Sequence, residues 1–185
     1  MRLKASGALW AMLVRARHSS TTLAVRCQVA AGETVLVLGG AGGTGACSIS
    51  LARALGARVV AVASSEERRE FCTAVGAEAV IERNAEAVRA AVETHTGGRG
   101  FDVVVDPVGG EIAQLPSVVS LVGVLAAGFT PDEDEAHIDE LLTLAGDGRI
   151  ATPIGQVAGL SEVPEMIASL NGGAPPEKIV VQAGS

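Results

Sequence analysis

Apolar positions in this chain come in short blocks separated by glycine-rich or polar punctuation. Residues 33–38 form a β-branched, apolar run, and five of the next seven residues are glycine. A run of that length closed by a turn signal predicts a buried strand entering a tight turn. Over 46–55, Ile49, Ala52 and Leu55 recur at helical spacing, and Gly56 follows as a residue suited to the left-handed position past a helix end. The pattern then repeats. Runs at 58–63, 79–81 and 101–106 predict three further strands, the last closed by Pro107. Between them, Ser64 followed three residues later by Glu67 predicts a capping box opening a helix with Phe71, Cys72 and Val75 inward and Gly76 at its end. Another helix is predicted over 85–95.

Strands alternating with helices of about ten residues imply βαβ units with right-handed crossovers, hence an α/β fold with a doubly wound parallel sheet. Beyond Gly110 the rhythm weakens. Residues 117–125 are apolar and β-branched, 132–144 predict a helix with an acidic first turn, 161–170 another helix and 178–182 a closing strand. One domain over 33–185 is expected, preceded by 1–32 as an N-terminal helix and connecting segment. That first segment holds Arg2, Lys4, Arg15, Arg17 and Arg26 with no acid, so it fits a transit peptide as well as a helix, and both readings stay open.

Composition narrows the class. With three Phe, one Trp and no Tyr, the core must be built from Ala, Val, Leu and Ile, which favours a helix-covered parallel sheet over an aromatic-rich sandwich. A formal charge of -7 offers no basic face to nucleic acid, so any bound phosphate must be held locally. Cys27, Cys47 and Cys72 are odd in number and far apart, as expected in a reducing, cytoplasmic setting. With no C-x-x-C pair and only His18, His95 and His137, no zinc site is expected. No apolar run approaches the roughly 18 residues of a membrane span.

The chemistry concentrates at Gly40-x-Gly42-x-x-Gly45, between a predicted strand and a predicted helix. Gly40 permits the sharp turn, Gly42 lets backbone approach a pyrophosphate, and Gly45 lets helix and strand pack closely. Amides at Gly43 and Thr44, with the positive end of the helix dipole, are then placed to hold phosphate. An NAD site presents a carboxylate to the ribose 2′-hydroxyl at the end of the second strand. Here Ser64 and Ser65 stand at that end, with Arg68 and Arg69 one turn further on and Glu66 and Glu67 beside them. NADPH is therefore favoured over NADH. A short-chain dehydrogenase is excluded by the lack of tyrosine, and the serine ending argues against a methyltransferase.

The stretches 35–45, 51–60, 75–81 and 101–110 resemble the cofactor domain of zinc-free quinone oxidoreductases of the zeta-crystallin type, a branch of the medium-chain dehydrogenase/reductase family. The resemblance runs nearly unbroken from about Gly32 to Gly110. It implies reduction of a quinone or enone with NADPH, places Arg68 where relatives often meet the 2′-phosphate, and sets Val108 near the nicotinamide ribose. Against the family pattern, the GroES-like catalytic domain is absent, 5–17 matching only its connecting helix. One helix-strand unit after Gly110 is also missing, and 121–125 align with either of two family strands. Relatives dimerise through this domain, and a sheet edge left open by such a gap would need covering, so a homodimer is expected.

No catalytic residue is assigned. Cys47 reads as a small buried helix residue rather than a reactive thiol, Asp106 as a cap of the Pro107 turn or a ligand contact, Phe129 as a neighbour of the nicotinamide only by analogy, and His95 and His137 as surface or capping residues. An inactive NADPH-binding module or truncated enzyme fragment is the alternative function.

Overall fold

The computed structural model describes residues 23, 27–109, 131–150, 153–170 and 178–182. Four strands build the main sheet: β1 (Thr34–Val37), β2 (Arg58–Ala63), β3 (Ala79–Glu82) and β4 (Val103–Val105). They lie in the order β3-β2-β1-β4 with every neighbour parallel, Val35 standing beside Val59 on one side and Val103 on the other. Helices α1 (Gly43–Ala54), α2 (Glu66–Val75) and α3 (Ala85–Thr96) connect them. The chain steps outward from β1 to β3, then returns to the far side of β1. The sheet therefore changes direction between β1 and β4, and a crevice opens there at the carboxyl ends of the strands.

Alternation along each strand sorts the core into two layers. Val35, Val37, Val59 and Ala61 face Ile49 and Ala52 of α1 and Phe71, Cys72 and Val75 of α2. Leu36, Leu38, Val60 and Val62 face Val88, Ala91 and Val92 of α3, with Phe101 among them. The α/β, doubly wound reading is thus what the structure has. A fourth helix, α4 (Pro131–Gly146), joins the first layer through Leu141 and Leu144.

Capping sets where the connecting helices begin. Ser65, not Ser64, is the N-cap of α2, accepting the Arg68 amide at 3.4 Å. The third helical position is then Arg68, so Glu67 closes no capping box. The reason lies in the sheet: β2 stays paired as far as Ala63, opposite Glu82, and Ser64 is needed to leave it. Gly76 ends α2 at φ 120°. In α3, the Asn84 side chain accepts the Ala87 amide at 2.7 Å. Because α3 supplies the helical side chains of the second layer, Asn84→Ala should cost about 1 kcal/mol of stability in urea denaturation, the usual worth of such a cap.

Strands β5 (Ile154–Gly159) and β6 (Lys178–Gln182) pair in parallel as a second sheet, with a 3-10 turn (Leu160–Glu162) and α5 (Val163–Leu170) following β5. β6 and α5 match expectation, but β5 was not predicted. Its sequence, Ile-Gly-Gln-Val-Ala-Gly, carries two glycines and a glutamine and has little intrinsic strand preference, so its pairing with β6 decides its state. The expected N-terminal helix, the run at 117–125 and the missing unit after Gly110 lie outside the described residues.

Candidate functional site

The segment leaving β1 is bonded to both of its neighbours in turn. The Leu38 amide donates to the Val105 carbonyl at 2.9 Å, and the Gly40 amide donates to the Val62 carbonyl at 3.0 Å. Between these two anchors Gly39 takes φ +65°, the left-handed region that glycine adopts freely. The Gly42 amide donates back to the Gly39 carbonyl at 2.9 Å, closing the turn. The residue that makes the sharp turn is therefore Gly39, one position before the Gly40 that the glycine pattern suggested.

Gly40 is held small for another reason. It is buried, and a Cβ there would stand 3.0 Å from both Ala61 Cβ and Cys72 Sγ. Gly45 keeps its expected packing role: a Cβ would collide with the Gly39 carbonyl oxygen and lie 2.8 Å from Gly40 Cα. Gly42 is exposed, and a side chain there would begin 3.3 Å from the Gly39 oxygen. The turn is thus bare backbone on its outer side and tightly packed on its inner side.

Helix α1 starts from this turn, with Gly42 as N-cap and the Ala46 amide donating to the Gly42 carbonyl at 2.8 Å as its first helical bond. Gly43, Thr44 and Gly45 occupy the first turn, whose amides point out of the amino end of the helix. No side chain caps this end and its first turn contains no acid, whereas α2 opens with Glu66 and Glu67 behind Ser65, and α3 with Glu86 behind Asn84. A positive helix end without a carboxylate, rimmed by glycine backbone, suits an anion.

The carboxyl end of β2 lies beside the turn, since Val62 holds Gly40. Ser64 and Ser65 follow, both exposed. The Ser65 oxygen accepts from the Arg68 amide, which leaves its hydroxyl hydrogen able to donate. Arg69 pairs with Glu66, and with Glu82 at 3.9 Å, and Arg68 stands in the first turn of α2, its amide donating to Ser65. Glu66, a neighbour that would oppose a phosphate, is engaged by Arg69.

On the other side of the crevice, Asp106 follows β4. Its Oδ1 accepts the amides of Val108 at 2.9 Å and Gly109 at 2.7 Å. The side chain thus caps its own turn, the first of its two sequence readings. Val108, 52% exposed, reaches across so that its Cγ2 would collide with any Cβ on Gly39. Gly40, Gly42, Gly43, Thr44, Gly45, Ser64, Ser65, Arg68 and Val108 all lie along this one edge of the sheet. Gly39 was missed, being legible only as the first of five glycines, whereas the Asp-Pro sequence at 106–107 was the turn signal that gave the capping role of Asp106.

The remaining candidates fall elsewhere. Cys47 is buried at 6% exposure, and burial pushes the Cys72 thiol up to about 11, keeping it protonated at neutral pH. His95 lies in the last turn of α3, its carbonyl accepting from Arg58 at 3.4 Å. The side chains of Phe129 and His137 lie outside the described residues. Among the described residues no group of three or more His, Cys, Asp or Glu is placed to hold a metal ion, and no helix is long and apolar enough to cross a membrane.

Comparison with known proteins places this edge in context. The model of the zinc-binding dehydrogenase family matches residues 43–145. Crotonyl-CoA reductase of Streptomyces collinus is 42% identical over 65 residues, 35% of this chain and 14% of that enzyme. A mycobacterial protein solved in complex with NADPH superposes with a TM-score of 0.84 at 22% identity, covering 98% of this chain and 66% of that one. A quinone oxidoreductase from Pseudomonas syringae pv. Tomato DC3000 gives 0.81 at 21%, with the same two coverages. At these identities the two structures speak for the fold. The chain spans 4% of the length of the phthioceranic/hydroxyphthioceranic acid synthase of Mycobacterium bovis that it matches, and 22% of that of the crotonyl-CoA reductase of Streptomyces avermitilis.

Proposed function

The chain belongs to the zinc-binding dehydrogenase family, whose members are oxidoreductases, and we propose that it binds NADPH along the carboxyl edge of β2, β1 and β4 to serve hydride transfer to a quinone or enone. The observation that carries this reading is the first turn of α1: a glycine-capped helix end with no acid and no side-chain cap, where added side chains would meet backbone. The relative named crotonyl-CoA reductase supports the enone class, and the P. syringae neighbour and the resemblance of 32–110 support the quinone class.

Each residue has a physical task. Amides of the first turn of α1, at Gly43, Thr44 and Gly45, hold the pyrophosphate, with the helix dipole favouring its charge, and Gly42, whose own amide closes the turn onto the Gly39 carbonyl, lets the pyrophosphate approach by having no side chain. Ser64 and Ser65 donate hydroxyls to the 2′-phosphate, and Arg68 adds a guanidinium whose charge-assisted bonds are the strongest of the set. Gly40 and Gly45 keep the turn close to the sheet, and Val108 lies beside the nicotinamide ribose. When bound, NADPH supplies the hydride; the protein positions it and excludes water. The described residues do not fit a zinc ion, and no step is assigned to one. A homodimer and a cytoplasmic setting accompany this reading. Cys27, Cys47 and Cys72 form no disulfide with one another, which is compatible with that setting.

Calorimetric titration of the purified chain with NADPH and NADH, followed by steady-state assays with a panel of quinones and an enoyl thioester, tests the proposal. Tighter binding of NADPH with turnover above the background of the free cofactor is expected. Binding without turnover would instead favour an inactive NADPH-binding module, and no binding of either nucleotide would remove the reading altogether.

A further inference from the structure

The loop after β4 is tied to the glycine turn by a relay that begins at a carboxylate. Asp106 Oδ1 takes two amide hydrogens, from Val108 at 2.9 Å and Gly109 at 2.7 Å, and Val108 in turn lies against Gly39. Gly39 is the left-handed residue between the two anchors of the turn, Leu38 on the β4 side and Gly40 on the β2 side. An amide held by a carboxylate is held more firmly than one held by a neutral acceptor. The carboxylate therefore determines where the Val108 side chain sits.

We propose that Asp106 is a positioning residue for the half of the dinucleotide distal to adenosine: by clamping the Val108 and Gly109 amides it holds the Val108 side chain against Gly39, and this contact forms the floor of the crevice between β1 and β4. The proposal rests on the NADPH reading above. Topology assigns the half. With the pyrophosphate over the turn after β1, the adenosine ribose lies toward β2, where Ser64 and Arg68 stand, and the nicotinamide side lies toward β4. Asp106 reaches the cofactor only through Val108.

The test compares two probes on the full chain: NADPH, which spans both halves, and 2′,5′-ADP, which carries only the adenosine half. Asp106→Ala should weaken NADPH binding on the order of tenfold, as expected when two charge-assisted bonds are lost, while leaving 2′,5′-ADP binding within about twofold. Asp106→Asn, whose side-chain oxygen can accept the same two amides, should restore NADPH affinity to within about threefold of the original. Should Asp106→Ala fail to fold, Val108→Ala removes the positioned side chain instead and should give the same selective loss. Equal loss of both probes in Asp106→Ala would make the residue a prop for the fold and overturn the proposal. So would an Asp106→Asn variant as weak as the alanine, which would point to direct contact by the charge, or a Val108→Ala variant that binds NADPH normally. If the unaltered chain binds 2′,5′-ADP and NADPH and no variant differs from it, this inference alone fails. If the unaltered chain binds neither, the NADPH reading fails with it.

Discussion

Gly45→Ala should lower stability by about 3 kcal/mol and abolish nucleotide binding, although it adds a single methyl group. The added Cβ would enter the space of the Gly39 carbonyl oxygen and stand 2.8 Å from Gly40 Cα. Both obstacles are backbone, and both belong to a turn fixed by hydrogen bonds to Val105 and Val62. No side chain can swing aside, so either α1 is pushed off β1 or the turn unfolds. The expected loss is a large share of the margin by which domains of this size are stable. Urea unfolding followed by circular dichroism measures it. Gly146→Ala is the matched control: nothing lies within 4 Å of its Cβ position, it closes α4, and alanine there should be neutral or slightly stabilising. A Gly45→Ala variant within 1 kcal/mol of the original would show that the turn can move, and the cradle would then not be the rigid phosphate site proposed.

Ser64→Asp should change the ratio of NADPH to NADH affinity by on the order of 100-fold in favour of NADH, because like charges set face to face cost several kcal/mol. Ser64 is the first residue past β2, exposed, and two residues beyond the Val62 carbonyl that holds the turn. A carboxylate there would repel a 2′-phosphate and accept a hydrogen bond from a free 2′-hydroxyl, so the two cofactors move in opposite directions. Arg68→Ala should weaken NADPH about tenfold and leave NADH nearly unchanged, since only NADPH presents the group it meets. Arg69→Ala should change neither by much, because its guanidinium is committed to Glu66 and Glu82. Competitive titrations with both nucleotides measure all four ratios. Equal affinity of the unaltered chain for NADPH and NADH, or a Ser64→Asp variant with an unchanged ratio, would sink the assignment of this strand end to the 2′-phosphate.

Much of this was determined by the order of residues alone. The alternation of apolar blocks with glycine and polar punctuation specified four strands and three helices, and the handedness of the crossovers, together with the strand-glycine-helix unit, specified a parallel sheet with its glycine turn after the first strand. Those properties depend on backbone preferences a few residues long, which local sequence controls. Tertiary structure decided the rest. Gly39 rather than Gly40 carries the left-handed turn because hydrogen bonds from Leu38 to Val105 and from Gly40 to Val62, on the strands either side, fix the chain around it. Ser65 rather than Ser64 caps α2 because β3 keeps β2 paired through Ala63. Arg69 is withdrawn from the ribose side partly by Glu82 on another strand, and β5 becomes a strand only against β6. Asp106 matters because its loop lands on Gly39, a contact between residues nearly seventy positions apart. Contacts of that kind depend on register and packing between elements, which the periodicity within any one element does not specify.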